Sequence, residues 1–201
     1  MQNPVIDDLR IIEMAKQQKM VVVAQRITSA SLLVDNVDEW VTVGHGLIVY
    51  VSFYAACEVS HLPGIAKRIL GAPLAVSAAS VEDWDGRAGT AGGAAMSVVA
   101  AGIAGGDGNP SHVLVVPQAC LVSKLKGTAT KPKLQYHGAK RPAEAEALYD
   151  AFVAALRGEA AAIAAKAGGG EDTVVIKCGT FGNRQALKLE CPGPFSHTLQ
   201  F

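Results

Sequence analysis

The sequence predicts an α/β fold: one domain with two main helices packed over a sheet. Three observations carry this. Apolar runs of strand length recur from Met20 onward, among them Val21-Val22-Val23, Leu47 to Phe53, His112 to Val116 and Val174-Val175-Ile176. Two stripes at helical spacing interrupt them: Leu62, Ile65, Ala66, Ile69 and Leu70, then Leu148, Phe152, Ala155 and Leu156. Strands interleaved with a few helices bury both by laying the helices on a sheet.

The elements follow in order. In residues 4–18, Val5, Leu9 and Ile12 recur at helical spacing, with Asp7 and Asp8 early and Lys16 and Lys19 late, as the helix dipole favours. This gives an N-terminal helical extension at 1–19 and a domain at 20–201. Val21-Val22-Val23 and Leu32-Leu33-Val34 flank Thr28-Ser29-Ala30-Ser31 and read as a strand pair. Trp40 to Val43 follows, and Gly44-His45-Gly46 breaks the chain before the apolar strand 47–53. The first helix stops at Gly71 and Pro73. From about 78 to 110, Gly and Ala dominate, which predicts a long insertion with short pieces near Met96 to Val99 and Ile103. Residues 122–141 read as a polar loop. The second main helix starts at Pro142, a favoured first helical position, with Glu144 and Glu146 in its first turns. Two strands and the segment Gly193-Pro194-Phe195-Ser196-His197 close the chain.

Composition removes several function classes. Lys plus Arg and Asp plus Glu are 18 each, so there is no global basic field and nucleic-acid binding needs a local patch. Cys57, Cys120, Cys178 and Cys191 have no CxxC or Cys/His spacing, so neither a zinc site nor a disulfide framework is expected and the thiols read as reduced, as in the cytoplasm. The Glu82-Asp83-Trp84-Asp85 cluster reads as solvated rather than metal-binding. No run is long enough to span a membrane, and the first residues lack an apolar signal core. The glycines of the insertion do not follow a strand in a phosphate-loop pattern, and no cofactor is expected.

Two stretches can carry chemistry. Pro117-Gln118-Ala119-Cys120-Leu121 lies where an apolar strand ends. Pro117 has no amide, so Gln118, Ala119 and Cys120 are the candidate main-chain donors to an oxyanion. Cys120 is either a nucleophile or a small buried thiol. Gly193-Pro194 combines close backbone approach with stiffness, which suits either ligand presentation or a plain turn. His197 lies two residues beyond Phe195, so on a strand both face one side, as a ligand contact or a half-buried histidine. Lys124, Lys126, Lys131, Lys133, Lys140 and Arg141 fall in a stretch without acidic residues, with Tyr136 and His137 beside them. That stretch is either a solvated loop or a phosphate-contacting patch with groups to meet a base or ribose.

These residues together resemble the D-aminoacyl-tRNA deacylase family. Val21 to Ile27 with Ser29-Ala30-Ser31 is similar to its opening strands, Gly46 to Val49 to its next core strand, and Leu148-Tyr149 with Phe152-Val153 to its second helix. PQACL stands in the place of its SQFTL motif, and Phe181-Gly182 followed by Gly193-Pro194 resembles its closing segment. PQACL, Leu125-Lys126-Gly127, Gln135-Tyr136-His137, Gly182-Asn183-Arg184-Gln185 and GPFSH resemble the animal-type branch, with Cys120 where that branch has Thr and Cys191-Pro192 where it has Thr-Asn.

The resemblance implies a domain of mainly antiparallel sheet and a metal-free hydrolase that cleaves the ester between a D-amino acid, or glycine, and tRNA. It implies a homodimer with the active site at the subunit interface. Gln118, Ala119 and Cys120 would then be catalytic, and the tRNA 2′-hydroxyl would assist. Pro117, Gly193, Pro194, Phe195, Ser196 and His197 would bind substrate, the Gly-Pro segment coming from the partner. Lys124, Lys126, Lys131, Lys133, Tyr136 and His137 would bind tRNA. In the D-specific branch the Gly-Pro bond is cis. In the animal-type branch it is trans, and L-alanine mischarged on threonine tRNA becomes a substrate. A cysteine hydrolase using Cys120 with His137 or His197, and a tRNA-binding module without catalysis, are the alternatives.

Overall fold

A computed structural model describes residues 18–78, 94–106, 108–136 and 138–201. The expected N-terminal helix, the Glu82 to Asp85 cluster and His137 lie outside the described residues.

Strand β1 (Met20–Ile27) leads to β2 (Ser29–Leu33), β3 (Trp40–Val43) and β4 (Gly46–Phe53), then helix α1 (Leu62–Gly71). Helix α2 (Val98–Gly105) precedes β5 (Ser111–Pro117) and a 3-10 turn (Ala119–Val122). Strands β6 (Lys124–Thr128) and β7 (Lys131–Gln135) precede the long helix α3 (Pro142–Lys166), and β8 (Val174–Cys178), β9 (Leu187–Glu190) and β10 (Ser196–Gln200) close the chain. A five-stranded sheet has the order β10-β1-β4-β5-β8, a three-stranded sheet β3-β2-β9, and β6 and β7 form a separate hairpin. Most pairs are antiparallel, while β4-β5 and β5-β8 are parallel.

Strand β4 lies at the centre of the large sheet and is buried along both faces, which is why residues 47–53 read as a continuous apolar run. Its alternate residues serve two cores. Leu47, Val49, Val51 and Phe53 pack with the helices, against Leu62, Leu70, Phe152 and Leu156 among others. Ile48 packs with Leu114 and Val116 against Ala30, Leu32 and Val43 of the small sheet. The large sheet is thus the middle layer between helices and a second sheet.

Two expectations are corrected. β1 and β2 do not pair: Thr28 alone separates them, and β1 pairs with β4 and β10 whereas β2 pairs with β3 and β9. One residue is too short a hairpin loop, so the chain passes from one sheet to the other instead. Residues 124–135 are a hairpin rather than a loop. Its lysines hid the strand period, because they fill one face only and both faces are exposed. The described part of the insertion carries the helix α2 where short pieces are expected near Met96 to Val99 and Ile103, and it buries Val98, Val99 and Ala101 in the helix-side core.

Candidate active site

The cavity beside the predicted motif lies at the carboxyl ends of β4 and β5. It has a volume of about 280 Å³ and is lined by Val51 to Phe53, Pro117 to Ala119, Ala139, Lys140 and Phe181 to Asn183, with Pro142 and Ala145 of α3. Parallel strands in register, with Val51 opposite Pro117, bring both ends to the same edge.

The turn after β5 defines the available donors. The Gln118 amide donates to the Val51 carbonyl at 2.8 Å, which continues the β ladder by one residue. It is therefore not free for an oxyanion, contrary to the expectation that all three amides of Gln118, Ala119 and Cys120 would serve. Ala119 and Cys120 open the 3-10 turn, and neither amide has an acceptor among the described residues. The first N–H groups of a helical turn lack internal partners by construction. The Leu121 and Ser123 amides close the turn on the Gln118 and Cys120 carbonyls.

Cys120 is exposed, which removes the expectation of a small buried thiol. The Cys120 thiol is the main cause that raises the Tyr136 pKa above the ordinary phenol value, which places the two side chains beside each other. The return strand of the hairpin thus brings Tyr136 back to the turn from which β6 departs. Lys124, Lys126, Lys131 and Lys133 alternate with Leu125, Gly127, Pro132 and Leu134 along the paired strands. All four lysines share one face of the hairpin and the leucines share the other.

The opposite wall is held by Lys140. Its ammonium donates to the Ala55 carbonyl at 3.0 Å and the Cys57 carbonyl at 2.9 Å, and pairs with Glu58 at 3.4 Å and Glu144 at 3.6 Å. Behind the cavity, the Tyr149 hydroxyl reaches the Val115 and Gly179 carbonyls, and its ring packs on Phe181 at 6.0 Å. Asn183 donates to the Val34 carbonyl at 2.9 Å, tying the 181–183 segment to the small sheet.

The second predicted stretch lies elsewhere. Strand β10 places Ser196 opposite Gln25, and Gln25 lies opposite Ile48. Gly193 and Pro194 therefore lie beyond the amino-terminal half of β4, whereas the cavity lies at its carboxyl end. Three residues along the strands and three strand spacings across separate Ser196 from Pro117, on the order of 15 Å. The Gly193–Pro194 segment has its own supports. The Arg26 amide donates to the Phe195 carbonyl at 3.1 Å, and the Arg26 guanidinium stacks on the Phe195 ring at 4.8 Å. Gly193 has φ +144°, and an added Cβ would come within 3.1 Å of that ring. No described peptide bond is cis, so Gly193–Pro194 is trans. His197, on β10, is paired with Ala24 and is likewise remote from Cys120.

The model of the family described as D-Tyr-tRNA(Tyr) deacylase matches residues 23–200. The chain belongs to the D-Tyr-tRNA(Tyr) deacylase family. It is 32% identical to human D-aminoacyl-tRNA deacylase 2 over 167 residues, 83% of each chain. It is 30% identical to the zebrafish protein of that name over 185 residues, covering 90% of this chain and 98% of the other. A solved structure of a probable eukaryotic D-amino acid tRNA deacylase superposes with a TM-score of 0.68 at 24% identity, over 91% of this chain and 100% of that one. The c-Myc DNA unwinding element binding protein superposes with a TM-score of 0.61 at 23% identity, over 89% and 97%. Both confirm the fold.

Sequence reasoning missed Ser52, Lys140 as a wall residue, and Asn183. Ser52 had a visible signal as the one serine in the apolar run 47–53. In sequence Lys140 reads with the hairpin lysines, but its partly buried side chain separates it from them. Among the described residues no group of His, Cys, Asp and Glu is arranged to hold a metal ion, and no helix is long and apolar enough to cross a membrane.

Proposed function

We propose that this protein is an aminoacyl-tRNA deacylase that hydrolyses the ester between a D-amino acid, or glycine, and tRNA. The observation that carries this is the cavity at the end of β5, where a chain of this family presents two unengaged amides, Ala119 and Cys120. Water adds to the ester carbonyl, and the two amides receive the oxyanion. As the tetrahedral intermediate collapses, the bond to the ribose oxygen breaks and that oxygen takes a proton, with the tRNA 2′-hydroxyl assisting. Each well-placed oxyanion donor contributes roughly 10²–10³ in rate. The chemistry needs no side-chain nucleophile. Cys120→Ala therefore loses little activity, whereas a cysteine hydrolase would lose nearly all of it.

Gly193 and Pro194 of a second copy of the chain close the cavity, with Phe195, Ser196 and His197 shaping the segment. The strand order supports this, because one chain holds the two motifs at opposite ends of its sheet. Mixing tests it. An Ala119→Pro chain, which lacks one oxyanion amide, and a Gly193→Val chain, each nearly inactive alone, form heterodimers in which one of the two sites is intact. Random exchange should restore about a quarter of wild-type sites, and a segment acting within its own chain would restore none. The lysine face of the hairpin meets tRNA phosphates in the cytoplasm. Log affinity should then fall linearly with log salt, and each lysine removed should reduce the slope by about 0.7–0.9.

The trans Gly193–Pro194 peptide favours a second specificity, L-alanine mischarged on threonine tRNA. Single-turnover cleavage of D-Tyr-tRNA, Gly-tRNA and L-Ala on threonine tRNA decides between them. Cleavage of the third supports the relaxed pocket, and sparing of the third supports a strict chiral screen. Cleavage of none, with tRNA still bound, leaves a binding module.

A further inference from the structure

Ser52 is 5% exposed, and it lines the cavity beside Gln118. Among the described residues no hydrogen bond engages its hydroxyl. Nor is that oxygen among the enclosed, unpartnered polar atoms, which are those of Thr28, His112 and Gln185 among the described residues. The rest of the side chain is covered, so the Oγ meets the cavity itself. A hydroxyl buried in protein ordinarily finds a partner, because leaving it without one costs free energy. Here the partner must come from what enters the cavity.

The strand geometry says which part of a substrate that is. Val51 and Pro117 share a register position, so Ser52 and Gln118 are the next residues on neighbouring strands. Gln118 is still extended, with φ −143° and ψ 88°, so its side chain follows the pleat to the face that Ser52 occupies. Adjacent strands lie about 4.8 Å apart. A carbonyl oxygen held by the Ala119 and Cys120 amides therefore places the neighbouring α-carbon substituents over the end of β4. We infer that Ser52 is a substrate-binding residue whose Oγ accepts a hydrogen bond from the α-ammonium group of the aminoacyl ester. This inference rests on the deacylase reading of the cavity.

The test separates the hydroxyl from the space it fills and the amino group from the ester. Wild type, Ser52→Ala and Ser52→Thr are compared on D-alanyl-tRNA and on propionyl-tRNA, which carries the ester without the amino group. Ser52→Ala should lose about tenfold in kcat/KM on the aminoacyl ester, mainly through KM, and less than twofold on the propionyl ester. Ser52→Thr keeps the hydroxyl and should retain at least a third of wild-type kcat/KM. Equal losses on the two esters, no loss on either, or Thr as damaging as Ala would overturn the assignment while leaving the deacylase reading in place. If wild type cleaves neither ester, that reading fails. Calorimetric binding of a non-hydrolysable 3′-aminoacylamido-adenosine then decides the role of Ser52: about tenfold weaker binding by Ser52→Ala supports it, and equal or undetectable binding by both proteins overturns it.

Discussion

Replacing Tyr149 by Phe removes one hydroxyl and leaves the packing of the cavity wall in place. The residue is 2% exposed, and its hydroxyl lies 2.9 Å from the Val115 carbonyl and 3.0 Å from the Gly179 carbonyl. Burial raises its pKa far above the ordinary phenol value, so it remains a donor at any working pH. The Val115 carbonyl also accepts the Gly179 amide at 2.8 Å and keeps that partner in the variant. The Gly179 carbonyl is the group left with less. Losing a buried hydrogen bond and leaving one acceptor desolvated costs about 1–3 kcal/mol, and with one acceptor still served the middle of that range, about 2 kcal/mol, applies. For a chain of this size that is a fall in Tm of about 4–8 °C. The Phe ring keeps the contact with Phe181 that the Tyr ring makes at 6.0 Å, so the single-turnover rate should stay within about twofold. Calorimetry and single-turnover deacylation read the two effects separately. An unchanged Tm would show that the Gly179 carbonyl loses nothing. A tenfold slower rate at unchanged Tm would show that the hydroxyl, rather than the ring, sets the wall.

Lys140→Met removes charged hydrogen bonds to the Ala55 and Cys57 carbonyls from a side chain only 12% exposed. Thermal denaturation should show a loss of about 1.5–3 kcal/mol, and KM should rise as the wall loosens. His112 is half-buried, with its Nδ1 enclosed and unpartnered, and burial, helped by the charge of Lys177, lowers its pKa. The unfolded chain therefore takes up this proton first. Its contribution is fully present above the ordinary histidine pKa and is lost as pH falls below about 6.5. Urea midpoints from pH 7.5 to 5.5 should fall more for wild type than for His112→Gln, and parallel curves would exclude this origin. Gly127 has φ +94°, and an added Cβ would strike the Lys131 carbonyl. Gly127→Ala should disrupt the exposed hairpin, lowering tRNA affinity severalfold in a filter-binding assay while Tm moves by about 2 °C or less.

Much of this was legible because burial on both faces of a strand leaves a strong trace. Leu47 to Phe53, Val113 to Val116 and the α1 and α3 stripes were all readable as elements. The strand partners were not. The alternation in 21–34 fits a hairpin locally, and only the competing pairs β1-β4 and β2-β9 reveal two sheets. Those pairs join residues far apart in sequence, which no local period encodes. The hairpin at 124–135 escaped for the opposite reason: with neither face buried, no hydrophobic period marks it, and Leu125 and Leu134 stay 72% and 61% exposed. At the site, the motif marked the turn at Pro117 to Cys120 but not which amides are free. That follows from Gln118 extending the β ladder to Val51, a contact set by register rather than by composition.

Strand direction also explains why the two predicted stretches lie apart. β4 and β5 are parallel, so both deliver their carboxyl ends to the cavity, where a turn can expose amides that no ladder engages. β10 is antiparallel to β1, and β1 is antiparallel to β4, so β10 runs the same way as β4 and β5. A segment that precedes β10 must then lie at the amino-terminal ends of these strands, and one that follows β5 must lie at the carboxyl ends. Gly193-Pro194 and Ala119-Cys120 are therefore kept apart by topology and not by a loop conformation. Moving Gly193 to the cavity within one chain would require stripping β10 from β1, with the loss of five register pairs and of the Leu199 packing on the helix-side core. Association of two folded chains needs no such rearrangement. A strap braced by the Arg26–Phe195 contacts fits the proposed insertion into a second copy better than motion within its own chain.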